Sequence, residues 1–393
     1  MSILYLRIFK KVVKKLKEVV MYRITNLAYV FILTLMASAC APVPAVMPAE
    51  SVKLDSGVEG LLLKDYRPVS IYKIPRTEIV KAKYPIIDMH SHAYALSDGG
   101  IDQALANMDA VGIQKTIIHT KAHGAEFDSI YAAYAPYGDR FEIWCGFDYT
   151  GYDQPGYGPA AVAELERCYN VGARGVGELG DKGKGLLYCD PPAEGMHIDD
   201  PRMDPLLKKC AELGIPINIH IAEPKWMYEA MDASNDGLMN AFSWRLDDKE
   251  GIVGHQGMID ILENALKRHP ATMIIACHYA NLSYDLGQLG TMLSTYPNFY
   301  VDNGARYAEV GSIPRTVAAF YLEYQDRIFY GTDMGHDVDM YRMTIRQLET
   351  ADEHFYGHDQ YGYHWALNGM DLPDEVLKKI YYENAQRLFG NKD

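Results

Sequence analysis

Cysteine is scarce in this chain, at 6 of 393 residues, and no two cysteines stand in a C-x-x-C spacing. A thiolate metal site therefore has no support. Cys145, Cys168, Cys189, Cys210 and Cys277 follow Cys40 as an odd, scattered set, which argues against a disulfide framework. Positive charge is also short, with 38 Lys and Arg against 52 Asp and Glu and a formal net charge of −14. Without residues 1–23, which carry seven Lys/Arg and one Glu, the balance is 31 against 51 and the charge −20. So acidic a body makes nucleic acid a poor partner. Long hydrophobic runs are missing too: the stretch Leu27 to Met36 has about ten residues where a membrane-spanning helix needs ~20. No internal repeat or low-complexity tract occurs in the remainder.

What the N-terminus does have is an export pattern. Lys10, Lys11, Lys14, Lys15, Lys17 and Arg23 form a basic region, the apolar stretch follows, and Ala37-Ser38-Ala39 precedes Cys40. Small residues before a cysteine resemble a bacterial lipobox, whose cysteine is acylated after cleavage, although Ala37 stands where such motifs prefer Leu. An ordinary A-x-A cleavage site is the plainer reading. With a start at either Met1 or Met21, the mature chain begins near Cys40. Residues 1–40 are thus expected to be a signal peptide, 41–83 a Pro/Ala-rich tether and lead-in segment, and 84–393 one domain. The protein is expected to be exported, periplasmic or at the cell surface, and to touch membrane only through a lipid on Cys40.

From Tyr84 onward short β-type apolar runs alternate with helical patterns, the mark of βαβ units on a parallel sheet. Eight runs are strand-like: 84–92, 114–120, 141–148, 173–180, 215–223, 272–281, 299–305 and 328–335. Helical patterns fall near 101–111, 124–135, 160–171, 204–213, 258–268, 282–295, 314–324 and 340–353. A last helix starts at Pro373, a favoured first-turn residue, and stops at Gly390. Eight such units predict an α/β fold, a closed (β/α)₈ TIM barrel rather than an open sheet. Connections 181–203 and 224–256 are too long for turns and follow strand C-terminal ends, which makes them candidate substrate loops.

Polar residues stand at strand ends that should otherwise be fully buried. Strand one ends in Asp88-Met89-His90-Ser91-His92, and a period of two puts His90 and His92 on one face, close enough to chelate one ion. By itself an H-x-H often only lines a solvated face. Strand five, however, ends in Asn218-Ile219-His220, strand six in Ala276-Cys277-His278 and strand eight in Gly331-Thr332-Asp333. Four strand ends agreeing by accident is improbable. Imidazole and carboxylate ligands suit Zn²⁺ best and also accept Mn²⁺ or Fe²⁺.

H-x-H on strand one, His on five and six, and Asp on eight resembles the amidohydrolase superfamily in order and register. The ending Ile380 to Gly390 is similar to the closing helix of its amidohydrolase-related branch, which contains hydrolases, lactonases and non-oxidative decarboxylases. The resemblance covers roughly residues 84–390. It implies one or two divalent ions held by His90, His92, His220, His278 and Asp333. Glu178, in the strand-four run Gly175 to Gly180, would either bridge two ions or orient a ligand histidine. Asp333 is implied as general acid and base, and His278, with one ion, as a contact to the carbonyl oxygen or the water. The reaction implied is cleavage of an amide, lactone or ester bond in a small organic substrate by a metal-activated water. The alternative is decarboxylation of an aromatic or unsaturated acid, with Asp333 protonating carbon.

Residues nearer the rim are less particular. Arg306 could grip a substrate carboxylate or pair with Asp302 or Glu309, and Tyr279 and Asn281, just past His278, are candidate substrate contacts. His119 and His123 read as ordinary polar positions. Trp226, Tyr228, Trp244 and Arg245 offer a surface for an organic molecule, with at least half of the aromatics expected simply to pack their loop. Cys277 is expected to point away from His278, toward the helices. Besides the small-molecule substrate, a second copy in a homodimer is the partner expected.

Overall fold

Alternating inward and outward side chains build eight parallel strands in the computed structural model, which describes residues 58–97 and 99–389. These are β1 (Ile86–Ser91), β2 (Ile113–His119), β3 (Phe141–Trp144), β4 (Val176–Asp181), β5 (Ile217–Ile221), β6 (Ile274–Ala276), β7 (Phe299–Asp302) and β8 (Ile328–Phe329). Their hydrogen-bonded order runs β1-β2-β3 and β4-β5-β6-β7-β8. Two seams close the ring. At the first, Cys145 pairs in parallel with Val176, with the Cys145 N–H donating to Gly175 O at 3.0 Å and the Gly177 N–H to Cys145 O at 2.8 Å. At the second, the Met89 N–H donates to Tyr330 O at 2.9 Å and the Thr332 N–H to His90 O at 3.2 Å. The predicted strands are all present in order, and the fold is a (β/α)₈ TIM barrel.

The crossovers carry α1 (Ile101–Val111), α2 (Gly124–Tyr134), α3 (Pro159–Val171), α4 (Asp204–Leu213), α5 (His255–Arg268), α6 (Leu286–Thr295), α7 (Pro314–Tyr324) and α8 (Val338–Glu349). Pro159 and Pro314 open their helices, where a missing N–H costs nothing. Gly112 ends α1 at φ 94°, a left-handed turn that suits glycine. α6 starts at Leu286, four residues later than its pattern predicts, and the segment before it opens with His278, Tyr279, Ala280 and Asn281 at φ values of 60°, 55°, 54° and 53°. A right-handed helix cannot include that run. Asp285 then caps α6 by accepting the Gln288 N–H at 2.9 Å. The last helix begins after Pro373 as Asp374–Lys378, widens over Lys379–Glu383 and continues as Asn384–Phe389.

Outward strand residues such as Ile118, Ile143, Ile219, Val301 and Ile328 join Met108, Leu165, Leu207, Leu262 and Phe320 of the helices in the main core. Inward residues Ile87, Met89, Ile117, Trp144, Ile275 and Phe329 form a separate apolar layer inside the barrel, packed against Ala385 of the last helix. Each such side chain contributes about 1.5–3 kcal/mol by leaving water.

The chain divides into two units, Met1–Gly60 and Leu61–Asp393. The second includes much of the predicted lead-in segment, held by the Thr77 N–H and hydroxyl donating to Asp352 at 2.9 and 2.8 Å. The basic region, Leu27 to Met36, Cys40, the tether 41–50 and Gly390 lie outside the described residues. Among those described, no helix is long and apolar enough to cross a membrane.

Candidate metal centre

At the C-terminal ends of the strands the inward register turns polar, and three imidazoles are each tied back by one nitrogen. The Nδ1–H of His92 donates to His119 O at 2.8 Å and that of His278 to Gly304 O at 2.8 Å. His90 gives its Nδ1–H to Asp302 Oδ2 at 3.0 Å. Because a carbonyl or carboxylate can only accept, each Nδ1 carries a proton and Nε2 is the nitrogen left to meet a ligand, as an acceptor where the ring is neutral. His90 Nε2 is fully buried without a hydrogen-bond partner. Asp333 Oδ1 lies 3.1 Å from His92 Nε2 and 3.5 Å from His90 Nε2, and its Oδ2 lies 3.6 Å from His278 Nε2. Asp333 itself stands at φ 53°, its N–H donating to His90 O at 2.7 Å. This left-handed turn takes the chain out of β8 and aims the carboxylate at the histidines.

The donor set fits a divalent cation. Ligand atoms of His90, His92 and Asp333 lie within 4.8 Å of one another, as do those of His90, Glu178, Cys277 and His278. A buried nitrogen with no hydrogen-bond partner, set amid carboxylates, has the character of a metal ligand. Glu178 joins the group from β4: Oε1 is 3.0 Å from His220 Nδ1 and 3.6 Å from His278 Nε2, and Oε2 is 2.8 Å from Lys121 Nζ. His220 Nδ1 also stands 3.1 Å from His278 Nε2.

Burial and charge act against each other here. Burial alone would lower the pKa of His90, but Asp302 and Asp333 overturn that and raise it to about 10. Asp302, which burial would raise, is held down at about 2 by the His90 charge and hydrogen bond. Burial likewise opposes ionisation of Glu178 and Asp333, and their histidine neighbours still hold both carboxyls below the usual range. The negative charge that keeps a proton on His90 is the charge that would hold a cation. Burial, with Arg306 and His220 nearby, takes His278 down to about 4, so it is neutral at pH 7 and presents an acceptor lone pair.

A cavity of about 540 Å³ opens above this cluster. His92, Glu178, His220, His278, Asp333 and Arg306 line it, while His90 sits behind them with no exposed surface. Both long connections contribute, the first through Lys182 and Tyr188 and the second through Met227, Asn240 and Trp244. A third segment follows α8 and supplies Gln360, Tyr361 and Tyr363. Trp226 packs its ring on Tyr363 and Trp365, and Arg245 pairs with Asp247 at 2.8 Å.

Tyr279 and Asn281 are not brought to the cavity. The left-handed run from His278 turns Tyr279 into the core between strands and helices, where its hydroxyl meets that of Tyr321 at 2.5 Å. Asn281 is buried as well and acts from behind, its Oδ1 accepting from Arg306 Nε and Nη2 at 2.9 and 2.6 Å. Arg306 also lies 3.4 Å from Glu309 and 3.6 Å from Glu223. Asp302 is not among these partners. Cys277 departs from expectation: its thiol points into the barrel and donates to Asn218 Oδ1 at 2.8 Å. It shares the inward register of Ile275, two residues earlier, and His278 faces the same interior because the backbone turns left-handed there. His119 is buried with its Nε2–H on Met89 O at 2.9 Å, and His123 Nε2–H donates to Asp190 O at 3.0 Å.

Four residues of the site carry no role in the sequence analysis: Asp302, Glu223, Lys121 and Lys182. Asp302 could have been found, being one more polar residue at a strand end. Glu223 closes the strand-five run and stands 3.4 Å from His220 Nε2. Lys121 carried no signal of its own.

The sequence matches the family model described as Amidohydrolase over residues 81–390. No curated protein matches the chain. Among solved structures, 2,6-dihydroxybenzoate decarboxylase from Rhizobium aligns with a TM-score of 0.50 and 18% identity, over 78% of this chain and 98% of that one. A 2,6-dihydroxybenzoate decarboxylase complexed with 2,6-dihydroxybenzoate gives 0.50 and 18%, over 78% and 99%. A dihydroxybenzoic acid decarboxylase from Polaromonas, with bound manganese and 2-nitroresorcinol, gives 0.49 and 17%, over 78% and 97%. At these identities the likeness is one of fold.

Proposed function

Because the chain belongs to the amidohydrolase family, we propose that it is a metal-dependent hydrolase cleaving an amide, lactone or ester bond in a small organic molecule. The observation that carries this reading is the convergence of His90 Nε2, His92 Nε2 and Asp333 Oδ1 at the floor of an open cavity. Zinc suits the donor set, as do manganese and iron. A divalent ion bound there would bring a water's pKa down to about 7 and polarise the oxygen of the bond under attack.

The protein's own groups do the rest. Asp333, ionised and with its side chain 21% exposed to the cavity, takes a proton from the attacking water and returns it to the leaving oxygen or nitrogen. Water's OH joins the acyl carbon, and the C–O or C–N bond breaks. His278, neutral and bonded through Nδ1–H to Gly304 O, offers Nε2 as acceptor and orients the water. It has no N–H left for an oxyanion. Negative charge on the substrate is met instead by Lys182 and Arg306, which line the cavity beside Glu223.

Those same cations favour a second reading. A carboxylate substrate would suit them, and Asp333 would then protonate the carbon from which carbon dioxide departs. Turnover of lactones, acylated amines and aromatic acids in oxygen-18 water separates the two. Hydrolysis places the heavy oxygen in the acid product. Carbon dioxide release, with no heavy oxygen in the remaining product, overturns it. The basic and apolar pattern ahead of Cys40 supports action outside the cytoplasm, with attachment through that cysteine.

A further inference from the structure

Positive charge is not shared equally among the carboxylates of this cavity. Glu223 has Lys182 against it and Arg306 at 3.6 Å. Glu178 has Lys121 Nζ at 2.8 Å from Oε2. Asp333 meets imidazoles: His92 at 3.1 Å, His90 at 3.5 Å and His278 at 3.6 Å. Histidines must be neutral to ligate a cation. An ion held by His90, His92 and Asp333 therefore supplies the charge that this carboxylate lacks, whereas Glu178 already has its partner.

Lys121 is held where it is with some force. Its backbone stands at φ 60°, a conformation rare for side chains other than glycine, and its N–H donates to Gly177 O at 3.1 Å. Its carbonyl presses on Gly146 so closely that a Cβ there would come within 2.0 Å of the oxygen. Strained backbone of this kind persists where surrounding structure imposes it, and it gathers at functional sites. From that anchor the ammonium reaches into the cavity to the one residue, Glu178, whose position could join two ions.

Resting on the reading of this cluster as a divalent-metal centre, we propose that Lys121 takes the place of a second metal ion, so that the centre holds one ion at His90, His92 and Asp333. Glu178 then anchors Lys121 and His220 and bridges nothing. A second ion beside Glu178, His220 and His278 would lie next to the ammonium and be repelled by it. Glu178 Oε2 already pairs with the ammonium at 2.8 Å, and an ion sharing that carboxylate would bring a second positive charge beside it. Lys121 is a positioning residue that sets how many ions the protein takes.

The test is metal stoichiometry, read on the full chain by elemental analysis after saturation with manganese chloride, together with electron paramagnetic resonance. Wild-type protein is expected to hold one Mn²⁺ with the spectrum of an isolated ion. Lys121→Met, which keeps the length and loses the charge, should take up two and show a coupled pair, and Lys121→Arg should stay at one. Two coupled ions in wild type overturn the proposal while leaving a metal centre standing. One ion in Lys121→Met, with circular dichroism unchanged, overturns the role of Lys121. If that variant fails to fold, the wild-type spectrum and Lys121→Arg decide, and two ions in either overturn the proposal. No bound metal in wild type defeats the metal-centre reading itself.

Discussion

Inside the barrel Ile87, Ile117, Trp144, Ile275 and Phe329 pack as an apolar layer, whereas Asn218, Cys277, Asp302, His220 and Asp333 belong to a polar layer beside the candidate ligands. The apolar layer makes few directional demands. Its side chains need volume and shape, and burial supplies the free energy. Each atom of the polar layer needs a particular partner. Asp302 alone accepts from His90 Nδ1, Asn218 Nδ2 and the N–H groups of His278 and Gly304, at 3.0, 3.2, 3.1 and 3.0 Å. The apolar layer stabilises; the polar layer is held in shape by that stability and keeps His90 Nε2 uncommitted.

This division can be broken from either side. Asp333→Asn should lower kcat by about 10³-fold or more, since it removes the acid and base together with a candidate ligand. Steady-state kinetics with a substrate in hand, alongside unchanged circular dichroism, would check it; near-normal turnover would remove Asp333 from the mechanism. Phe329→Ala, in the apolar layer, should cost about 3–5 kcal/mol in urea denaturation. Metal content per folded molecule should stay the same, and a loss of metal there would mean the two layers are not separable.

Smaller effects test the supports. Asp302→Asn should weaken metal affinity by about 10–100-fold, because it loosens the His90 ring without removing a ligand. Chelator competition measures this, and unchanged affinity would reduce Asp302 to a fold residue. Smallest is Tyr279→Phe, which deletes a buried hydroxyl contact and should cost about 1 kcal/mol in stability with KM unmoved. A raised KM would return Tyr279 to the substrate.

Eight strands and eight crossover helices were legible because period two and period 3.6 leave local traces, and Pro159, Pro314 and Gly112 punctuate them. The ends of strands were less so. β8 covers two residues of its predicted run, although Tyr330, Thr332 and Asp333 still hydrogen-bond to Met89 and His90 up to the left-handed turn at Asp333. His90, His92, His220, His278 and Asp333 could be picked out as polar residues at buried strand ends. Tyr279 and Asn281 seemed equally close to the chemistry by count of residues, yet four successive left-handed φ values, none at a glycine, carried them behind it. Nothing in the side chains announced that turn.

By itself the sequence determined the barrel, the identity of the residues at its mouth and the family chemistry they imply, since burial patterns and residue types are local properties. Only the tertiary structure decided which partner each polar group found. Lys121 and Glu178 are 2.8 Å apart across β2 and β4, His90 and Asp302 3.0 Å apart across β1 and β7. Those pairings join residues distant along the chain, and they follow from ring closure, which no local pattern encodes.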